Sequence, residues 1–415
     1  MSSPFHISEH VIDAQHIREN SRATATPNAP LKLCIKKYTP IDNLTPKPGD
    51  VTFVASHGTG LPKEVYEPLW EELFARSKQD GFRIRAIWIA DSVNQGASGI
   101  LNEQHLGNDS TWTDHSRDML HMISHFLPEM PQPIMGIGHS AGAVSLLFAS
   151  FFHPGVFTSL LLIEPWITNQ PSAASGALVL IMAAEKRDTW ASREEAVNKS
   201  RKYLGAWDPR AFKRWAEFGY RELPTAIYPS APAAPGAVTL ATTKHQEVMA
   251  YTYINPRKEM IVQFPGENTE ENSNNQKSVI PGRQVSRPEP VVAFKMMPHL
   301  APSTLLISGS KSPLHKTGRH AEAVKIAGTG FGGNGGVAAA RVRHVVIDKG
   351  THTLPLEKIE DTAEAMGSFI QKDIQRWKQD EAQLAQEWGP LSLKEKSTIT
   401  SQWTNIVKNP LKAML

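Results

Sequence analysis

The feature that most constrains the fold is a serine held between a short apolar run and a second apolar run of helical character. Residues 133–143 read Pro-Ile-Met-Gly-Ile-Gly-His-Ser-Ala-Gly-Ala, with Ser140 inside a Gly-x-Ser-x-Gly pentapeptide. This pattern predicts a buried strand that turns sharply into a helix and exposes the serine hydroxyl at the apex. Gly138 and Gly142 are expected there because strand and helix pack too closely for side chains two residues either side of the apex. Ser140 is therefore the candidate nucleophile.

Apolar runs of strand length alternate with helical patterns on both sides of this turn. The candidate parallel strands lie at residues 51–55, 83–90, 134–139, 158–163, 304–308 and 342–347. Alternating strands and helices predict an α/β fold, with a mostly parallel sheet covered by helices on both faces. Residues 4–16 and 31–38 are expected to begin this sheet as antiparallel edge strands.

The pattern of the chain changes after residue 165. Between residues 166 and 300 the strand signal is weak, helical stretches occur at 189–204, 208–218 and 241–253, and a polar tract runs from Gly266 to Pro290. We therefore predict a first part of the core at 1–165, a largely helical inserted lid at 166–300, a second part of the core at 301–386 and a polar C-terminal tail at 387–415.

Composition excludes several classes of function. Lysine and arginine number 44 against 41 acidic residues, a net charge of +3 without a sustained run of either sign, so neither a nucleic-acid surface nor a polybasic membrane anchor is expected. Cys34 is the single cysteine, which excludes an internal disulfide. The N-terminus lacks a secretory pattern, and no run of about 18 apolar residues indicates a stable membrane anchor.

One glycine-rich stretch needs separate consideration as a phosphate-binding loop. Residues 328–336 contain six glycines but no Gly-Lys-Ser/Thr, and they precede a strand instead of following one. We interpret the stretch as a flexible connection, and we expect no cofactor and no metal.

A serine nucleophile needs a base and an acid at the carboxyl ends of other strands. His352 follows the last predicted strand within Lys-Gly-Thr-His-Thr and is the candidate base. The usual position of the acid, after the strand at 304–308, contains no carboxylate. We therefore choose Glu164, which lies at the end of the strand after the elbow helix, that is, the helix that begins after Ser140. Its competitor is Asp348, which is so close to His352 in sequence that it is expected to shape the turn there.

Two backbone N–H groups are expected to receive the oxyanion of an acyl-transfer reaction. One belongs to Ala141, the residue after the nucleophile, and the other to Thr59, in the Ser-His-Gly-Thr-Gly loop after the strand at 51–55. His57 is expected to brace that loop.

With these residues in place, the chain resembles the α/β-hydrolase superfamily across about residues 50–165 and 300–385. More narrowly, it is similar to fungal peroxisomal hydrolases of secondary metabolism, a group that includes acyl-CoA hydrolases, toxin-biosynthesis hydrolases and a lipase. In that group the acid also follows the strand after the elbow, and a glycine-rich stretch like 332–336 precedes the last strand. The resemblance implies a small-molecule acyl-CoA thioester or ester substrate. An aspartate in place of Glu164 in a relative would make the glutamate a departure.

Three alternatives remain open from the sequence. The same residues would serve a lipase or carboxylesterase, an acyltransferase, or a binding protein that has lost catalysis. The chain ends in Lys412-Ala413-Met414-Leu415, which is similar to a peroxisomal import signal except at Met414, so recognition by a peroxisomal import receptor and a cytoplasmic location both stay open. A homodimer also stays open.

Overall fold

The computed structural model describes residues 3–170, 173–229, 235–253 and 287–408. Residues 266–286 of the predicted polar tract Gly266–Pro290 lie outside the described ranges, and so do the C-terminal residues 412–415. Within the described ranges, no helix is both long enough and apolar enough to cross a membrane.

The strands of the described residues form two separate sheets. In chain order they are β1 (Phe5–Asp13), β2 (Lys32–Pro40), β3 (Val51–Ser56), β4 (Ile84–Ala90), β5 (Ile134–His139), β6 (Ser159–Ile163), β7 (Thr189–Trp190), β8 (Tyr220–Glu222), β9 (Val238–Leu240), β10 (Ser303–Gly309) and β11 (Val342–Ile347). The larger sheet has the order β1-β2-β4-β3-β5-β6-β10-β11, and the smaller has the order β7-β9-β8.

The larger sheet is mostly parallel, as the sequence predicts. β1 pairs antiparallel with β2, and β2 pairs antiparallel with β4. From β4 to β11 the neighbouring strands are parallel, and β5 lies between β3 and β6 near the middle. The residues that follow β3, β5, β6, β10 and β11 therefore meet at one edge of the sheet, where ligands of such sheets bind.

Helices cover both faces of the larger sheet. In chain order the helices are α1 (Glu67–Gln79), α2 (Gly96–Asn102), α3 (Trp112–His125), α4 (Ala141–Phe152), α5 (Ala173–Glu185), α6 (Arg193–Ser200), α7 (Pro209–Phe218), α8 (Lys244–Tyr251), α9 (Glu289–Met296), α10 (Pro313–Lys316), α11 (Arg319–Ile326), α12 (Leu354–Glu357), α13 (Ile359–Trp388), α14 (Leu393–Ser397) and α15 (Ser401–Lys408). The buried side chains of α1 and α13 pack on one face. Those of α3, α4 and α11 pack on the other.

The segment between β6 and β10 is less purely helical than the sequence predicts. Its small sheet packs around a separate apolar cluster that includes Trp190, Tyr220 and Leu240, and residues 189–190 form a strand where a helix is expected. Strands of two or three residues are too short for an alternating pattern to be visible. Whether this segment acts as a lid stays a prediction.

Helix α2 comes soon after β4, and within it Gly99 has no room for a side chain beside the Asn94 backbone. The glycine-rich stretch at 328–336, which the sequence predicts to be a flexible connection, forms a hydrogen-bonded loop. Its backbone is hydrogen-bonded to the segment 297–300, because N–H groups of Gly328, Gly330 and Asn334 donate to carbonyls there.

Candidate active site

Ser140 lies at the apex of the turn between β5 and α4. Its φ of 55° and ψ of −120° place it in a backbone conformation that non-glycine residues rarely adopt. A Cβ on Gly138 would lie 2.4 Å from the Cα of Ala143, and one on Gly142 would lie 2.4 Å from backbone oxygens of Ser56 and His57. Both glycines are therefore required by close backbone approach, as the sequence predicts.

The structure brings Ser140, His352 and Glu164 into one hydrogen-bonded chain. The Ser140 hydroxyl donates to Nε2 of His352 at 2.9 Å, and Nδ1–H of His352 donates to the Glu164 carboxylate at 3.1 Å. His352 follows β11, and Glu164 follows β6, directly beside the elbow strand. This is the arrangement in which a serine hydroxyl can lose its proton to an imidazole.

Glu164 is fully buried, and its charge is supported from several directions. Oε1 accepts a hydrogen bond from the Gly309 N–H at 2.7 Å, and Oε2 accepts one from the Ser312 hydroxyl at 2.5 Å. Burial alone would raise the pKa of the carboxyl, but His352 and the Ser312 hydroxyl hold that pKa below its usual value. Glu164 therefore presents an ionised carboxylate to His352. Its own φ is 50°, so it shares the strained backbone of Ser140.

Asp348, the competing acid, lies elsewhere. Its side chain is exposed and accepts a hydrogen bond from the Ser310 hydroxyl at 3.3 Å. Its carboxylate is not among the described hydrogen-bond partners of His352.

The two predicted oxyanion residues border a common cavity beside Ser140. Thr59 and Ala141 both line this cavity, together with Gly142. His57 connects the loop after β3, which contains Thr59, to the loop after β4. Its Nε2 accepts a hydrogen bond from the Ser92 N–H at 3.0 Å, and its Nδ1 lies 2.9 Å from the Gly58 carbonyl oxygen. Thr59 and Ala141 therefore border the same cavity, and their role as oxyanion donors stays a prediction.

No protein-family model matches the chain, but related proteins and solved structures do. The type I acyl-CoA thioesterase mpaH of Penicillium roqueforti is 36% identical over 425 residues, covering 98% of this chain and 96% of the relative. The chain belongs to the mpaH family of α/β-hydrolases. An abhydrolase domain-containing protein of Alternaria alternata, ACTT2-2, is 24% identical over 288 residues, covering 68% of this chain and all of the relative.

Among solved structures, the peroxisomal α/β-hydrolase Lpx1 of Saccharomyces cerevisiae covers 100% of this chain with a TM-score of 0.69, at 17% identity and 98% coverage of Lpx1. This likeness confirms the α/β-hydrolase fold. Together with membership of the mpaH family, it confirms the resemblance to fungal hydrolases drawn from the sequence. The protein is a hydrolase.

In this mpaH-family chain a second hydrogen-bonded network supports the site, and sequence reasoning missed it. The Tyr66 hydroxyl accepts the Gly58 N–H at 2.9 Å and donates to Nδ1 of His139 at 2.7 Å. Nε2–H of His139 then donates to the backbone carbonyl of His352 at 2.8 Å. The network links the loop after β3 to the loop of the candidate base. Only the position of His139 beside Ser140 could have signalled it.

The network requires His139 to be neutral, with its proton on Nε2. Burial, together with the nearby His352 ring, lowers the pKa of His139 to about 3. In the unfolded chain His139 becomes protonated as pH falls below about 6.5, whereas in the folded chain it stays neutral down to about pH 3. This histidine therefore makes folding less favourable as pH falls from about 6.5 towards 3, by about 1.4 kcal/mol per pH unit.

We expect the variant His139→Gln to lose less stability on acidification than the wild type. The free energy of unfolding, measured by urea titration at pH 7, 6 and 5, should have a shallower pH dependence by about 1.4 kcal/mol per unit below pH 6.5. The control is His16→Gln, at an exposed position, which should keep the wild-type slope. Equal slopes for all three proteins would contradict the assignment of a neutral buried His139.

Proposed function

We propose that this hydrolase is a serine enzyme that cleaves an acyl-CoA thioester of a secondary-metabolite pathway through an acyl-enzyme on Ser140. The observation that carries the proposal is the hydrogen-bonded chain from the Ser140 hydroxyl through His352 to Glu164. The mpaH relatives are named type I acyl-CoA thioesterases, which supports the choice of thioester.

The proposed reaction has two halves. Nε2 of His352 takes the Ser140 proton while Oγ attacks the thioester carbonyl carbon, and the N–H groups of Thr59 and Ala141 receive the oxyanion. The carbon–sulfur bond breaks, and the imidazolium returns its proton to the leaving thiolate, which gives free coenzyme A. In the second half, His352 activates water to attack the acyl-serine, and the products are the free acid and the restored hydroxyl.

Glu164 would act through His352 and would not take the proton. Its buried carboxylate accepts Nδ1–H and thereby leaves Nε2 as the basic nitrogen facing Ser140. Because the Glu164 charge is already satisfied by Gly309 and Ser312, it is preorganised to stabilise the imidazolium that forms at each half-reaction.

Trp166 forms one wall of the candidate site. Its ring lies edge-on to the His352 ring, with centroids 5.8 Å apart, and 6.3 Å from the Tyr251 ring of α8. Helix α8 belongs to the segment between β6 and β10, so that segment contributes to the surroundings of the base. The Trp166 ring therefore limits the directions from which an acyl group could approach the His352 imidazole.

The proposal is tested with a panel of acyl-CoAs and the matching nitrophenyl esters. We expect one molecule of free acid for each coenzyme A released, and labelling of Ser140 by a fluorophosphonate. A carboxylesterase or lipase would instead turn over only the esters. An acyltransferase would yield an ester or amide when an alcohol or amine is added. Absence of labelling would contradict a serine nucleophile and favour a binding protein.

We also propose import into peroxisomes through the end Ala413-Met414-Leu415. The structural relative Lpx1 is named a peroxisomal α/β-hydrolase, and the last residue and the small Ala413 of this chain fit a C-terminal import signal. A fluorescent protein fused to the N-terminus should reach peroxisomes, and deletion of the last three residues should leave it in the cytoplasm. Identical distributions would rule out this signal.

A further inference from the structure

A small chamber, which neither His352 nor Glu164 lines, lies next to the turn at Ser140. Its lining includes Thr59, Ala141 and Gly142 near the nucleophile, and Trp112 and His115 of α3. Ala250 of α8 completes it from the inserted segment, where its carbonyl accepts a hydrogen bond from the Trp112 indole at 3.0 Å. The chamber therefore adjoins Thr59 and Ala141, the two residues expected to receive the oxyanion.

Most of the polar side chains around the chamber have partners within the protein. The Asn94 amide donates to Ser110 at 3.3 Å and to Gln246 at 3.1 Å, and the Gln95 side-chain oxygen accepts the Gly60 N–H at 2.6 Å. The Ser145 hydroxyl lies 3.2 Å from two backbone carbonyl oxygens of its surroundings. These groups shape the chamber without needing a ligand.

His115 is the exception. It is 6% exposed, and its Nε2 lies 3.1 Å from the Ser56 hydroxyl. Its Nδ1 is buried and has no hydrogen-bond partner among the residues that the structure describes. A buried polar atom without a partner costs about 1–3 kcal/mol, so such an atom in a site needs an explanation. Because His115 is also one of the residues that line the chamber, a group held there is a candidate partner for Nδ1.

The size and charge of the chamber narrow what it would accept. Its volume is about 30 Å³, which suits about two water molecules or a polar group of similar size. A carboxylate is disfavoured because burial lowers the pKa of His115 to about 3, which leaves the imidazole neutral and without a charge to pair with it. A long unbranched acyl chain would exceed the space.

Resting on the proposed serine hydrolase function, we propose that the chamber is a subsite for a hydroxyl group on the acyl chain, recognised by Nδ1 of His115. A hydroxyl both donates and accepts, so it would satisfy Nδ1 in either tautomer, while Ser56 adapts to the other nitrogen. The substrate class is then a hydroxyacyl thioester with its oxygen close to the carbonyl, in preference to a plain fatty acyl thioester.

The test compares 3-hydroxybutanoyl-CoA with butanoyl-CoA. The wild type should prefer the hydroxyacyl substrate by about 10- to 100-fold in kcat/KM, because the plain chain leaves Nδ1 buried and unpaired. His115→Phe should remove that preference and bring the ratio close to one. His125→Phe, at an exposed histidine of the same helix, should keep the wild-type ratio.

A second variant covers a failure of His115→Phe to fold. His115→Gln retains one donor and one acceptor and should keep part of the preference. A wild type that treats the two substrates alike, or a folded His115→Phe that keeps the full preference, would overturn the inference. In that case the proposed serine hydrolase function would still stand if the wild type is labelled at Ser140 by fluorophosphonate and turns over butanoyl-CoA. A wild type that shows neither labelling nor turnover would overturn both the proposed function and the subsite.

Discussion

Replacement of Ser140 by alanine should reduce acyl-CoA hydrolysis by a factor on the order of 10⁶, close to the contribution of the complete nucleophile, base and acid. The hydroxyl lies 2.9 Å from Nε2 of His352, and nothing else at the apex of the turn can form the acyl-enzyme. The substitution removes one oxygen and no apolar packing, so the fold should persist. Coenzyme A release and fluorophosphonate labelling measure the loss, and circular dichroism measures the fold.

Ser150→Ala is the matched control for this variant. Ser150 is a buried serine of the same helix, α4, and its hydroxyl bonds the Leu147 carbonyl, away from His352. Its replacement should leave turnover near the wild-type level. If Ser140→Ala kept more than a few per cent of activity, Ser140 would not be the nucleophile.

Glu164→Gln should give the second largest effect, a fall in kcat of about 10⁴. Glutamine keeps the shape of the side chain, but it removes the charge that stabilises the imidazolium. It can also present an N–H to Nδ1 of His352, which would favour the wrong tautomer. Asp348→Asn should change kcat far less, because Asp348 is exposed and bonds Ser310. Initial rates with saturating acyl-CoA give the comparison.

The two variants must be compared at equal folded fraction. Glu164 also holds the Gly309 N–H and the Ser312 hydroxyl, so its replacement weakens a buried polar cluster and can lower stability. Urea titration of each variant gives the fraction folded under assay conditions. A crippled Asp348→Asn beside an active Glu164→Gln would show that the acid is misassigned.

Much of the larger sheet could be predicted from the sequence, because its parallel strands are continuous apolar runs and the elbow has a strong local signature. The relative positions of Ser140, His352 and Glu164 follow from the same reasoning, since each comes directly after a strand of one parallel sheet. Their roles in catalysis stay predictions. The small sheet formed by β7, β8 and β9 could not be predicted, because strands of two or three residues carry no period.

The supporting contacts of the site could not be predicted for a different reason. Tyr66 and His139 are 73 positions apart, and Ser312 and Glu164 are 148 apart, so only the folded chain brings them together. Nothing local marks Tyr66 as different from the other aromatic residues of its apolar surroundings. The place of His115 beside the chamber could not be predicted either, because a histidine at an apolar position of α3 looks like an ordinary core residue in the sequence.

The position of Glu164 has a consequence for how such an enzyme can diversify. Ser140 and Glu164 directly follow the adjacent strands β5 and β6, and both come before the long excursion, the stretch of chain between β6 and β10. An acid after β10 would be separated from Ser140 by that whole excursion. With Glu164 placed ahead of it, the excursion can change in length and shape while the carboxylate keeps its register with Ser140. Exchange of the chain between β6 and β10 among relatives is therefore a practical route to new substrate preferences, provided that Gly309 and Ser312 keep their hydrogen bonds to the Glu164 carboxylate.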